Sequence, residues 1–172
     1  MPNVILTGFM ATGKTSVGRR VAMKLGLEFI DTDQEVEKVT GLTIKEIFQR
    51  YGETRFRSEE SAAVKRVAGL YNKVISTGGG VVLNPDNMTA LAANGLIINL
   101  EANPQVIMER VSRRNTRPLL QEENPLQIII NLIKERQPFY EKAAYSIDTS
   151  NLTLEQVVDR VVEIYFNEVS NG

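Results

Sequence analysis

Gly8-Phe9-Met10-Ala11-Thr12-Gly13-Lys14-Thr15 fits the pattern G-x-x-x-x-G-K-[ST], and its surroundings fit as well. Val4-Ile5-Leu6 before it reads as a buried strand, and Val17, Val21 and Leu25 after it share one face of a helix. A strand, a glycine-bearing loop and a helix in that order make a cradle for phosphate. Glycines let the backbone wrap closely, successive N–H groups point inward, and the helix start adds partial positive charge. In such a loop Lys14 reaches the β- and γ-phosphates of a nucleotide and the Thr15 hydroxyl faces Mg²⁺.

The rest of the chain repeats the alternation. Glu28–Ile30, Val74–Ser76, Leu96–Leu100 and Tyr145–Ile147 read as further short buried strands, separated by amphipathic helical stretches. Three helix starts are legible. Thr43 with Glu46 and Thr153 with Gln156 form capping boxes, and Asn103-Pro104 supplies an N-cap and a first-turn proline. Val157, Val158, Val161, Val162 and Tyr165 give the last helix its apolar face. Strands alternating with helices predict an α/β fold with a parallel sheet. The chain has 172 residues and no repeat or linker, so residues 1–172 are expected to form a single domain. The polar, arginine-rich segment from about Ser112 to Asn124 is expected to be a lid.

Composition narrows the chemistry. There is no histidine, so a general base must be a carboxylate, a lysine, a tyrosine or the substrate itself. There is no cysteine, which removes disulfides and thiolate chemistry. A net charge of −1 gives no global attraction to nucleic acid or anionic membrane. Met1-Pro2-Asn3 runs straight into the first strand without a signal-peptide pattern, and no apolar run approaches a membrane span. A cytoplasmic protein without nucleic-acid or membrane partners is expected.

Switch GTPases carry N-K-x-D for guanine. Asn72-Lys73-Val74-Ile75 lacks the aspartate and precedes a strand rather than following one, which favours a small-molecule kinase. Asp31-Thr32-Asp33 follows the second strand, where ligands of open α/β sheets bind. Read as an extended segment, it aims both carboxylates at one site, one toward Mg²⁺ and one toward an acceptor hydroxyl. A helix cap is the competing reading of Asp33. Gly78-Gly79-Gly80 ends a strand that lacks a metal-binding acid, and suits either a backbone pressed against a ligand or a plain turn. Arg57, Arg117 and Arg136 offer forks suited to carboxylate or phosphate. The residues by themselves give phosphoryl transfer and leave the acceptor open.

Taken in order, Gly8 to Thr15, Asp31-Thr32-Asp33, Phe56-Arg57, Ser76-Thr77-Gly78-Gly79-Gly80, Arg117-Pro118-Leu119-Leu120, Arg136 with Pro138 and Tyr140, and Ile147-Asp148-Thr149 resemble the shikimate kinase family over nearly the whole chain. The resemblance implies a three-layer P-loop kinase fold, similar to the nucleoside monophosphate kinases, with a five-stranded parallel sheet and a mobile lid. It implies transfer of the ATP γ-phosphate to the shikimate 3-hydroxyl by a monomer. Gly8, Ala11, Thr12, Gly13, Lys14, Thr15, Ser16, Arg110 and Arg117 would then bind the nucleotide. Thr15 and Asp31 would serve Mg²⁺. Asp33 would hold the ring hydroxyls and act as base, and Lys14 and Arg117 would complete the catalytic group. Arg57 and Arg136 would clamp the shikimate carboxylate, with Gly78, Gly79 and Gly80 adding contacts and Phe48 and Phe56 walling the ring. Two rivals stand beside this reading: a related kinase such as a gluconate kinase, and a non-catalytic nucleotide-binding module.

Overall fold

Val4, Ile5 and Leu6 are fully buried, and they sit at the centre of the sheet. The computed structural model describes residues 2–114 and 123–171. Five strands, β1 (Asn3–Thr7), β2 (Glu28–Asp31), β3 (Lys73–Ser76), β4 (Gly95–Glu101) and β5 (Tyr145–Asp148), lie parallel in the order β2-β3-β1-β4-β5. All five sequence-read strands are present, each extended by one or two residues.

Side chains alternate across the strands, so the sheet has two cores. Val4, Leu6, Val74, Ile98, Leu100 and Ile147 face helices α1 (Lys14–Leu25) and α7 (Leu154–Asn171). Ile5 and Ile75 face α3 (Ile44–Ala68) and α4 (Pro85–Ala93). The ion pairs Arg20–Glu155 and Lys24–Asp159 tie α1 to α7 at the surface. Helices α5 (Pro104–Arg114) and α6 (Pro125–Tyr140) pack near the P-loop over Phe9, Ile107, Val111 and Ile129. Among the described residues no helix is long and apolar enough to cross a membrane.

The three expected starts hold. Thr43 and Glu46 complete a reciprocal box before α3. Thr153 and Gln156 do the same before α7. Asn103 Oδ1 accepts from Val106 N at 2.9 Å before α5. Two expectations change. The Asp31–Asp33 segment is not extended throughout, because helix α2 (Thr32–Thr40) begins at Thr32. Asp31, not Asp33, is the cap: its carboxylate accepts from Asp33 N at 3.0 Å. Ser112 to Arg114 belong to α5 rather than to a loop. Most of the expected lid, including Arg117, lies outside the described residues.

Inside α3 the helix breaks at Gly52 (φ 79°, ψ −180°), a conformation essentially restricted to glycine. The break lets Phe48 and Phe56, on opposite sides of it, bring their rings to 4.7 Å.

Candidate active site

A cleft of about 260 Å³ opens at the carboxyl ends of β1, β2 and β3. Its lining collects the loop residues Ala11, Gly13, Lys14, Thr15 and Ser16 with Asp31 and Asp33. Facing them are Phe48, Phe56, Arg57 and Arg136, with Gly78, Gly79 and Gly80 between. Residues scattered over more than a hundred positions therefore share one concave surface, as the sequence reading expects.

The P-loop end is shaped by backbone. Gly8 has φ 139°, and a β-carbon there would collide with the Leu100 carbonyl of β4. Gly13 (φ 102°) ends the loop just before α1, and Ala11 also has positive φ, at 60°. Thr12, buried beneath the loop, donates to Phe9 O at 2.8 Å. Lys14 is 9% exposed, and its Nζ donates to the Gly8 and Phe9 carbonyls, each at 2.8 Å. A single ammonium thus sits at the focus of the cradle. Thr15 Oγ1 donates to Asp31 Oδ2 at 3.0 Å. These two hard oxygen donors beside the phosphate cradle suit Mg²⁺, which takes one or two protein oxygens and fills its octahedron with phosphate and water.

Asp33 lies deeper. One of its oxygens, Oδ1, is buried with no hydrogen-bond partner among the described residues. Burial foremost, then the charges of Asp31 and Glu60, push its carboxyl up to about 6, against a pull from Lys14. That value suits a base working near neutrality.

Two of the three glycines, Gly78 and Gly80, are crowded by side chains from other elements. A β-carbon on Gly78 would lie 2.8 Å from Asp33 Oδ1 and 2.9 Å from Glu60 Oε1, and one on Gly80 would collide with the Arg57 guanidinium. On Gly79 it would meet Arg136 Nη1 at 3.6 Å, an ordinary contact that leaves room for a side chain. The loop is thus threaded between two carboxylates and two guanidiniums. Gly78 N is fixed by a 3.0 Å bond to Thr32 Oγ1.

Two further residues were given no role in the sequence reading. Glu60, 2% exposed, accepts from Arg57 Nη1 at 2.8 Å and 3.2 Å. Burial raises its carboxyl above the ordinary value despite that arginine. The i, i+3 spacing from Arg57 is the one signal that could have found it. Tyr140 is buried and donates its hydroxyl to Gly79 O at 2.7 Å, pinning the glycine loop to α6.

Arg110 stands outside this cleft. Its guanidinium donates to Ala11 O at 3.1 Å and to Thr149 Oγ1 and O, both at 3.0 Å. It joins the P-loop to the turn after β5.

The family model for shikimate kinase matches residues 10–165. The chain belongs to the shikimate kinase family. It is 51% identical to a shikimate kinase of Caldanaerobacter subterraneus subsp. tengcongensis over 165 residues, 96% of each chain. It is 48% identical to one of Thermodesulfovibrio yellowstonii over 172 residues, 100% of this chain and 99% of the other. Among solved structures, the shikimate kinase of Acinetobacter baumannii in complex with shikimate superposes with a TM-score of 0.91 at 36% identity, covering 98% of this chain and 94% of that one. A gluconokinase from Sinorhizobium meliloti, at 19% identity and a TM-score of 0.62, shares the fold alone. The family uses ATP, so the P-loop reading and the family agree on phosphoryl transfer.

Proposed function

We propose that the chain transfers the γ-phosphate of ATP to the 3-hydroxyl of shikimate, a step on the route to chorismate and the aromatic amino acids. The observation that carries this reading is the meeting of a P-loop, a buried carboxyl and two guanidiniums in one cleft. The loop N–H groups and Lys14 hold the phosphates, and Ser16 extends the contact at the start of α1. Arg110 and the turn after Asp148 flank the base. Thr15 and Asp31 would hold Mg²⁺, which would supply neutralisation of the phosphate charge. Arg57, steadied by Glu60, and Arg136 receive the substrate carboxylate between them. The Phe48 and Phe56 rings wall one side of the sugar-like ring. Asp33 Oδ1 accepts the hydrogen of the attacking hydroxyl and takes its proton as the new O–P bond forms and the bond to ADP breaks. Turnover with ATP and a panel of hydroxy acids tests the reading. Shikimate should be preferred by orders of magnitude, and a comparable rate with gluconate would overturn it.

The carboxylate clamp makes a separable prediction. A charge-assisted bidentate pair contributes about 1.5–3 kcal/mol. Arg57→Ala and Arg136→Ala should each weaken shikimate binding by roughly ten- to a hundredfold or more, with ATP affinity nearly unchanged. Calorimetric titration of both ligands checks this. Unchanged shikimate affinity in both variants would remove the clamp.

Tyr140→Phe deletes one oxygen and frees Gly79 O. The ring still fills its place among Phe9 and Ile129, so the melting temperature should move by only a few degrees. The loop under the substrate loosens, and KM for shikimate should rise about three- to tenfold while KM for ATP stays constant. Equal rises in both constants would show general softening instead of positioning.

A further inference from the structure

A second cleft, of about 210 Å³, lies at the carboxyl ends of β4 and β5 beneath α5 and α6. Parallel strands covered on both faces are normally apolar, and β4 keeps to that as far as Ile98. Beyond it Leu100 still enters the core under α1 and α7, while Asn99 and Glu101, on the opposite face, line the cleft. Asp148, the register partner of Glu101 on β5, lines it as well. Asn99 is 2% exposed. Its Nδ2 donates to Ser146 Oγ at 3.0 Å, and its Oδ1 has no hydrogen-bond partner among the described residues. Buried carbonyl oxygens are rarely left so. The facing wall is apolar, built from Ile107 and Ile133 with the rings of Phe9 and Tyr140. Among the described residues no lysine or arginine lines the cleft, and the Gln137 amide is engaged with Glu141 at 3.0 Å.

Among the described residues this cavity therefore offers an orphaned acceptor, negative charge and an apolar wall, with no cation in its lining, although Arg110 acts on Asp148 from outside it. An anion is repelled by Glu101 and Asp148. A neutral hydrocarbon leaves Asn99 Oδ1 without a donor, and a water molecule supplies a donor but no charge. We infer that the cleft is a second ligand site, for a small amphipathic primary ammonium. Its N–H groups donate to Asn99 Oδ1 and to the Glu101 carboxylate, and its hydrocarbon body packs on Ile107 and Ile133.

Benzylammonium chloride is a suitable probe, with benzyl alcohol as the neutral isostere and potassium chloride as the bare cation. Methyl NMR titrations of the full chain at constant ionic strength read the Ile107 and Ile133 signals. The expected result is saturable shifts with benzylammonium and much weaker ones with benzyl alcohol. Glu101→Gln, isosteric and at the partly exposed rim, should weaken binding by roughly fivefold or more, as expected when a charge-assisted bond becomes a neutral one. Ile133→Phe should fill the cleft and abolish the shifts. Equal binding of benzyl alcohol, the same shifts with potassium, unchanged affinity in Glu101→Gln, or no saturable binding would each overturn the proposal. The comparison of the three probes uses only the unmodified protein, so it stands whatever the variants do.

Discussion

Lys14→Ala is expected to lower phosphoryl transfer by at least ~10³-fold, to below detection in a routine coupled assay. The ammonium sits where the charge of the transferring phosphate concentrates, and alanine leaves nothing to replace it. Among its partners are the Gly8 and Phe9 carbonyls, both belonging to the same loop. Losing them relaxes the loop without opening either sheet core, so circular dichroism should report a folded protein. Lys14→Met, which preserves the length of the side chain, should be as inactive as the alanine variant. That pairing separates charge from shape: recovery of activity in the methionine variant would mean that the side chain only props the loop. Near-normal turnover in a folded Lys14→Ala protein would rule this loop out as the catalytic site.

Asp33→Asn should move activity and stability in opposite directions. Turnover should fall by about 10²–10⁴-fold, because asparagine keeps the shape but accepts no proton. Stability at pH 7 should rise. Asp33 titrates near 6 in the folded chain against an ordinary value of 3.8. The folded state therefore binds that proton more tightly than the unfolded chain does. Stability falls as pH rises from about 4 to about 6, and the full cost of holding the charge in place remains above that window. Removing the charge recovers about 1–3 kcal/mol, or several degrees in melting temperature for a chain of this length. The gain should vanish below about pH 4, where Asp33 is protonated in both states. In the wild type, kcat/KM should fall as pH drops below about 6. Thermal melts from pH 4 to 8 alongside kinetics check both halves. A less stable asparagine variant would mean that Asp33 is held by partners, and a flat acid limb would place the base elsewhere.

Much of this architecture is legible in one dimension, because its signals are local. The P-loop, the capping boxes at Thr43 and Thr153 and the apolar strands depend on residues within a few positions of each other. Asp31 and Asp33 illustrate a correct destination reached by the wrong geometry. They line one cleft as a cap and a first-turn residue, not as alternate positions of a strand, since Thr32 already starts α2. Glu60 carried only a weak local signal, its i, i+3 spacing from Arg57. Within Ser58-Glu59-Glu60-Ser61 it resembles its half-buried neighbour Glu59, and it is buried where the glycine loop passes. The glycine triplet was seen but its cause was not: Gly78 and Gly80 are held small by Asp33, Glu60 and Arg57, which arrive from other elements. Tyr140 stood out in the Arg136-x-Pro138-x-Tyr140 pattern, yet its bond to Gly79 spans 61 positions and has no local signature.

The contact between Gly8 and the Leu100 carbonyl bears on how the chain acquires its activity as it is made. β1 is the first strand to be synthesised and the central one in the sheet, but its two neighbours are β3 and β4. The wall behind the P-loop is therefore supplied by Gly95–Glu101, which follows more than half of the chain. A nascent fragment that ends before β4 can carry the whole glycine-lysine motif and still lack the surface that sets its curvature. Long-range parallel pairing is slow to form, since the intervening loops must close before any bond repays them. Nucleotide affinity should consequently emerge late and abruptly during synthesis, once β4 has docked, instead of growing in proportion to the length of chain released.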